Sequence, residues 1–125
     1  MDTVKNVSCV KILSPGGYDR LSLCTVDAPT RGPNIKMQNI PASELVVIKT
    51  AFTGINYADI CIRWGLYTSA NKFVGFPICP GFEVSGEVVK VGSAVTRCKV
   101  GDRVWAVSMF GGYSSHVEVP QHQVY

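Results

Sequence analysis

Histidine is scarce in this chain, and so is charge. Only His116 and His122 occur, and Asp, Glu, Lys and Arg together make up 17% of the 125 residues. The five cysteines, at 9, 24, 61, 79 and 98, are odd in number and widely separated, with no Cys-x-x-Cys among them. Such spacing argues against a disulfide framework or a zinc ribbon, and reduced thiols in a cytoplasmic setting account for it most simply. Long apolar runs are missing as well: Leu45-Val-Val-Ile48 ends at Lys49, far short of the roughly 20 residues of a membrane helix. The opening Met-Asp-Thr-Val-Lys-Asn is too polar for a secretory signal. A net charge of +3 from scattered Lys and Arg forms no basic stripe with interleaved aromatics, so nucleic acid is not an expected partner. Finally, no Gly-x-Gly-x-x-Gly or Gly-Gly-Val-Gly turn is present to cradle a dinucleotide's pyrophosphate. Gly111-Gly112 leads into strand-like sequence and so offers no helix N-terminus for one.

What is present reads as one globular domain. Hydrophobic residues make up 46% of the chain, and a domain this size buries roughly 65% of its unfolded surface. Lys5 to Leu13 and Leu21 to Val26 have strand composition around a Pro15-Gly16-Gly17 turn, which predicts a hairpin ended by Pro29. Leu45 to Thr53 is a third strand. From Tyr57 to Trp64 the apolar spacing of 57, 60, 61 and 64 changes to that of about two helical turns, with Asp59 near the start and Gly65 as the stop. Phe82 to Val91 returns to strand character, and Gly86 marks a place where a side chain would collide with a neighbouring backbone. Val104 to Ser108 and Tyr113 to Val119 read as a last hairpin around Gly111-Gly112. Many short strands, glycine turns and one or two short helices predict a mainly β fold, a partly closed barrel.

The chemistry-bearing groups are concentrated in Gly54-Ile-Asn56-Tyr57-Ala-Asp59-Ile-Cys61-Ile-Arg63-Trp-Gly65-Leu-Tyr67 and in Pro80-Gly81-Phe82-Glu83-Val-Ser-Gly86. Asn56 and Tyr67 carry neutral N–H and O–H donors of the kind that stabilise negative charge growing on a substrate oxygen. Asn56 equally suits the cap of the helix that follows it. Asp59 and Arg63 stand four apart and are expected to pair, either as helix support or as the wall around Asn56. Tyr57 and Tyr67 read as pocket lining or as packing residues, and Cys61 as a small buried hydrophobe or a thiol facing the cleft. Glu83 is expected to hydrogen-bond backbone or an arginine such as Arg103. The two histidines read as surface residues.

These segments, with Gly16-Gly17-Tyr18-Asp19, Val91-Gly92-Ser-Ala-Val95, Gly101-Asp102-Arg103-Val104 and Gly112-Tyr-Ser-Ser-His-Val-Glu-Val119-Pro120, resemble the N-terminal half of zinc-independent quinone oxidoreductases and vesicle amine transport proteins. Both belong to the medium-chain dehydrogenase/reductase superfamily. The resemblance implies a GroES-like barrel over residues 1–125, left incomplete at the C-terminus because the family's return segment and Rossmann domain are absent from the sequence. It implies an NADPH-dependent, zinc-independent reductase of quinones or enones, with NADP(H) bound on the missing domain and no cofactor expected for this chain alone. Asn56 would lie on the nicotinamide side and, with Tyr67, line the reducing cleft; Tyr57, Asp59, Cys61, Arg63, Phe82 and Glu83 would line or support it. Zinc alcohol dehydrogenases place a cysteine where Asn56 stands and a histidine where Phe82 stands, so no metal is expected here. A chain of this length is expected to be inactive as a fragment. The alternative is a non-catalytic binding or scaffold module, consistent with peripheral membrane or vesicle association and with a homodimer. Two departures stand out. Thr30 to Ser43 looks longer than the family's turn, predicting a flexible excursion, and Cys61 occupies a place where several quinone reductases carry tyrosine.

Overall fold

The computed structural model describes residues 4–125. Strand β1 (Val7–Ile12) pairs antiparallel with β2 (Leu21–Val26), Val7 facing Val26 and Ile12 facing Leu21, which is the predicted hairpin. A two-residue strand, β3 (Thr30–Arg31), and the short helix α1 (Asn34–Met37) follow. Next come β4 (Leu45–Thr53), α2 (Tyr57–Arg63) and α3 (Thr68–Phe73). The chain closes with β5 (Glu83–Val91), β6 (Arg103–Val107) and β7 (His116–Pro120). The larger sheet runs β3-β7-β4-β5-β6, and the β1-β2 ribbon stands apart from it as a second sheet. The architecture is mainly β, and the sheets do not close on each other.

Strand β4 sits centrally for a simple reason. Leu45, Val46, Val47 and Ile48 are all buried, because β7 and β5 flank the strand and both of its faces are covered here. Val46 and Ile48 pack with Val84, Val88, Ala106, Val117, Val119 and Val124 into one aliphatic core. Gly86 is the close approach foreseen from the sequence: a Cβ there would lie 2.0 Å from the Lys49 carbonyl oxygen. A second cluster joins Ile12, Ile62, Ala70, Ile78 and Phe110 beneath α2 and α3.

The structure corrects two expectations of the fold. The final strands are not a hairpin; β6 pairs with β5 at one edge, whereas β7 runs between β3 and β4. Gly111-Gly112 lies between them as a crossing segment because the alternation that makes a good strand carries no information about its partner. Residues 30–43 are not a free excursion. They form β3 and α1, bury Ile35, and tie Asn34 Nδ2 to Gln123 Oε1 at 2.7 Å. Helices α1 and α3 stand beside the predicted α2, each too short to leave a periodic signature.

Candidate functional site

The site is assembled where β4 runs out. Beyond Thr53, the Gly54 N–H donates to the Glu83 carbonyl at 3.2 Å, the last rung between the two segments. Gly54 has a steric purpose: a Cβ on it would lie 2.0 Å from Glu83 Oε1 and 2.5 Å from Cδ. With only hydrogen there, the Glu83 carboxylate lies across the backbone and reaches Asn56, whose Nδ2 is 3.2 Å from each carboxylate oxygen. This corrects the expected partner of Glu83, which is neither backbone nor Arg103. Arg103 is an exposed residue whose cross-strand neighbour is Glu87. A carboxylate only accepts hydrogen bonds, so the contact also fixes which end of the Asn56 amide faces Glu83.

Asn56 occupies the N-cap of α2 in an extended conformation, with φ −123° and ψ 154°. Its backbone N–H donates to Asp59 Oδ2 at 2.9 Å, the reciprocal half of a capping box. Cap and site residue are thus one residue: the backbone starts the helix and the side chain is held by Glu83.

Asp59 and Arg63, expected to pair, do not. Asp59 is 6% exposed, and its Oδ2 also accepts the Tyr113 hydroxyl at 2.8 Å, while its Oδ1 has no partner among the described residues. Arg63, also buried, turns the other way. Its Nη1 donates to the Gly16 carbonyl at 2.6 Å, and its guanidinium lies 4.4 Å from the Tyr18 ring centroid. A delocalised guanidinium is satisfied by a carbonyl and an aromatic face, so the cation pins the β1–β2 turn to the end of α2 and leaves the anion to the site.

Tyr67 is the N-cap of α3 and is half-buried. It packs against Phe82 at 5.9 Å and edge-on against Phe110 at 6.2 Å, and Phe82 meets Phe110 at 5.4 Å. The three rings form an apolar wall that joins the Asn56–Glu83 pair through the Phe82-Glu83 peptide. The structure therefore brings together Asn56, Asp59 and Glu83 by hydrogen bonds, and Tyr67 with Phe82 by packing. It leaves Tyr57 71% exposed and Cys61 half-buried on α2, outside both groups. Sequence reasoning missed Gly54, Phe110 and above all Tyr113. Only the glycine before Tyr113 hinted at a close approach, and nothing local announces a partner in α2.

The larger cavity, about 710 Å³, is elsewhere: an open groove across β4, β5 and β6 lined by Lys49, Phe52, Glu87, Arg103 and Trp105, among others. It shares no residue with the hydrogen-bonded cluster. Among the described residues no three His, Cys, Asp or Glu side chains converge in a way that could hold a metal ion. All five cysteines are free. Burial, with Cys9 adding to it, pushes the Cys79 thiol up to about 12, which disqualifies it as a ready nucleophile. Nor does the site fit a dinucleotide's pyrophosphate. The first turn of α2 is occupied by the carboxylates of Asp59 and Glu83, whose charge repels phosphate.

Residues 42–125 match the family described as the alcohol dehydrogenase GroES-like domain. The chain is 38% identical over 107 residues to a probable quinone oxidoreductase of Schizosaccharomyces pombe, covering 80% of this chain and 31% of that protein. It is 33% identical over 119 residues to the synaptic vesicle membrane protein VAT-1 homolog of Rattus norvegicus, covering 94% of this chain and 26% of the relative. The crystal structure of the Escherichia coli quinone oxidoreductase complexed with NADPH superposes with a TM-score of 0.76 at 28% identity, over 94% of this chain and 32% of that one. The chain thus spans between about a quarter and a third of the length of these relatives. The chain belongs to the alcohol dehydrogenase GroES-like domain family, among its quinone oxidoreductase and VAT-1 members.

Proposed function

We propose that this chain is the substrate-side domain of a zinc-independent reductase that passes hydride from NADPH to a quinone or enone. One contact carries the proposal: Glu83 grips the Asn56 amide by its NH2 end, at 3.2 Å to each carboxylate oxygen. An amide held this way keeps a second N–H and its oxygen in a fixed direction. Hydride arriving at a quinone or enone carbon leaves negative charge on the conjugated oxygen, and a preorganised neutral donor lowers that barrier. Tyr67, with its ring fixed against Phe82 and Phe110, offers a second donor from the aromatic wall that would take the apolar body of such a substrate.

The residue types support chemistry without zinc, since an amide already committed to a carboxylate and a phenyl ring are not among the thiolate, imidazole and carboxylate ligands zinc takes. NADPH would supply the hydride. Since the residues here do not fit its pyrophosphate, we place the nucleotide on a further domain in a protein of the relatives' length, with Asn56 on the nicotinamide side. By itself this domain would be inactive. Free thiols throughout support a cytoplasmic setting. No helix among the described residues is long and apolar enough to cross a membrane.

The match to the VAT-1 homolog, which extends over 94% of the chain, supports a second reading as a binding module without turnover. One variant separates the two. In a protein joining this domain to a nucleotide-binding domain, Asn56→Ala should lower quinone turnover with NADPH by about a hundred- to a thousand-fold, as loss of one such donor does. A variant with about 1 kcal/mol less stability but undiminished turnover would make Asn56 only a cap.

A further inference from the structure

We propose that Tyr113 is a positioning residue: it fixes both partners of the Asn56–Glu83 contact at once, setting Asn56 through Asp59 and Glu83 through its own backbone. This deepens the reading given under Proposed function and depends on it only for the consequence to turnover.

The backbone of Tyr113 is clamped from two sides. Its carbonyl accepts from the Val10 N–H at 2.9 Å, and its own N–H donates to the Pro80 carbonyl at 2.9 Å. The approach is tight because it is lined by glycines; a Cβ on Gly81 would lie 2.7 Å from the Gly112 Cα and 2.8 Å from the Tyr113 nitrogen. Pro80-Gly81 leads directly into Phe82 and Glu83, so this clamp sets where the Glu83 carboxylate starts. The side chain of the same residue then reaches α2, donating to Asp59 Oδ2 at 2.8 Å. That oxygen also accepts the Asn56 backbone N–H at 2.9 Å, whereas Asp59 Oδ1 has no partner among the described residues. The buried carboxylate is therefore held by Oδ2 alone. Without the Tyr113 hydroxyl only one of its two tethers remains, and the start of α2 loses the point that aims Asn56. Burial, with donation to Asp59 next, raises the Tyr113 phenol above its ordinary value, so it stays a donor at any physiological pH. A tyrosine suits this task because its ring is rigid and only its tip is polar.

Nuclear magnetic resonance on the isotope-labelled chain tests this without any assay of turnover. The side-chain amide of Asn56 is identified by its response to Glu83→Gln. In Tyr113→Phe, which keeps the ring and deletes the donor, this amide pair should shift, while the Trp105 indole N–H on β6 stays in place. A folded Tyr113→Phe protein that melts earlier but keeps the Asn56 amide unmoved would reduce Tyr113 to a packing residue and overturn the proposal. A measurement on the unmodified chain guards against a variant that fails to fold. The Tyr113 hydroxyl proton should be visible, protected from exchange with water and close to the Asn56 backbone N–H. A hydroxyl that exchanges as freely as one in solvent would equally overturn it. A shifted Asn56 amide in a longer protein that reduces no quinone would instead defeat the functional reading and leave the positioning role intact.

Discussion

The five-stranded sheet and the lobe of α2 and α3 are built on opposite plans. The sheet's core is aliphatic throughout, with Val46, Ile48, Val84, Val88, Ala106, Val117, Val119 and Val124 at 0–2% exposure. The lobe has its own small core, yet Asp59 and Arg63 are buried in α2 beside Ile62, at 6% and 7% exposure. At the same time the lobe leaves Ile55 81%, Tyr57 71% and Leu66 72% exposed. Polar groups inside and apolar groups outside invert the ordinary arrangement of a stable domain. Phe52 on β4 is 76% exposed too, so it is the two buried charged residues, more than the exposed apolar surface, that set the lobe apart from the sheet.

The largest expected effect asks whether the two regions are one cooperative unit. Ile48→Ala in the sheet and Ile62→Ala in the lobe each delete a fully buried side chain. Each should cost about 2–5 kcal/mol in urea unfolding. If the two cores unfold together, both variants lower the midpoint of one transition, whether followed by backbone or by tryptophan signals. If Ile62→Ala instead produces an early lobe transition with the sheet signal unchanged, the regions are separately stable and the contrast is sharper still.

Arg63 comes next, because it ties the lobe to the β1–β2 turn in both directions: its guanidinium donates to the Gly16 carbonyl, and its own carbonyl accepts the Gly16 N–H at 2.9 Å. Arg63→Ala removes the charge-assisted bond and the stack on Tyr18, and should lose about 1.5–3 kcal/mol. Asp59 is not its partner, so the Asn56 site signals should survive in the folded fraction. Their disappearance would mean that the hairpin turn, and not only Tyr113, sets the site.

The spans of strands and helix were largely legible in the sequence and their partners were not, for a physical reason. The Val- and Ile-rich run marked the span 45–53 residue for residue, and the hydrophobic spacing from Tyr57 gave α2 to within one residue at its end. Gly86 betrayed its close approach because a glycine inside a strand needs a reason. Partners, by contrast, come from topology. Nothing near Glu83 says that Gly54 clears a path to Asn56, and nothing near Asp59 says that a tyrosine 54 positions away would take the place of Arg63. How the candidate residues bond to one another could not be read locally: Glu83 bonds Asn56 and Asp59 bonds Tyr113, and neither is the partner expected.

Gly54→Ala would test that hidden geometry with little loss of stability. The clashing atoms belong to the flexible end of Glu83, which can swing away, and Ala restricts the unfolded chain, so the net change should stay within about 1 kcal/mol. The Asn56 amide should nevertheless respond as strongly as it does to Glu83→Gln. A large loss of stability would show that the backbone at Gly54, and not the carboxylate, gives way.

The smallest effect belongs to the sheet and concerns protons. His116 on β7 faces Lys49 on β4, and its ring Nδ1 lies 3.1 Å from the Ser115 hydroxyl. Burial first, and the Lys49 charge second, lower its pKa from the ordinary His value of about 6.5. The unfolded chain therefore binds this proton more readily than the folded one does. The contribution is fully present above about pH 6.5 and is lost as pH falls through the lowered folded value. Melting temperatures followed from neutral pH downwards should decline across that window, and His116→Gln should flatten the decline. Lys49→Met should flatten it partly, because burial remains when the charge is gone. An unchanged profile in His116→Gln would show that the acid sensitivity does not come from His116 and would remove this contribution from the sheet.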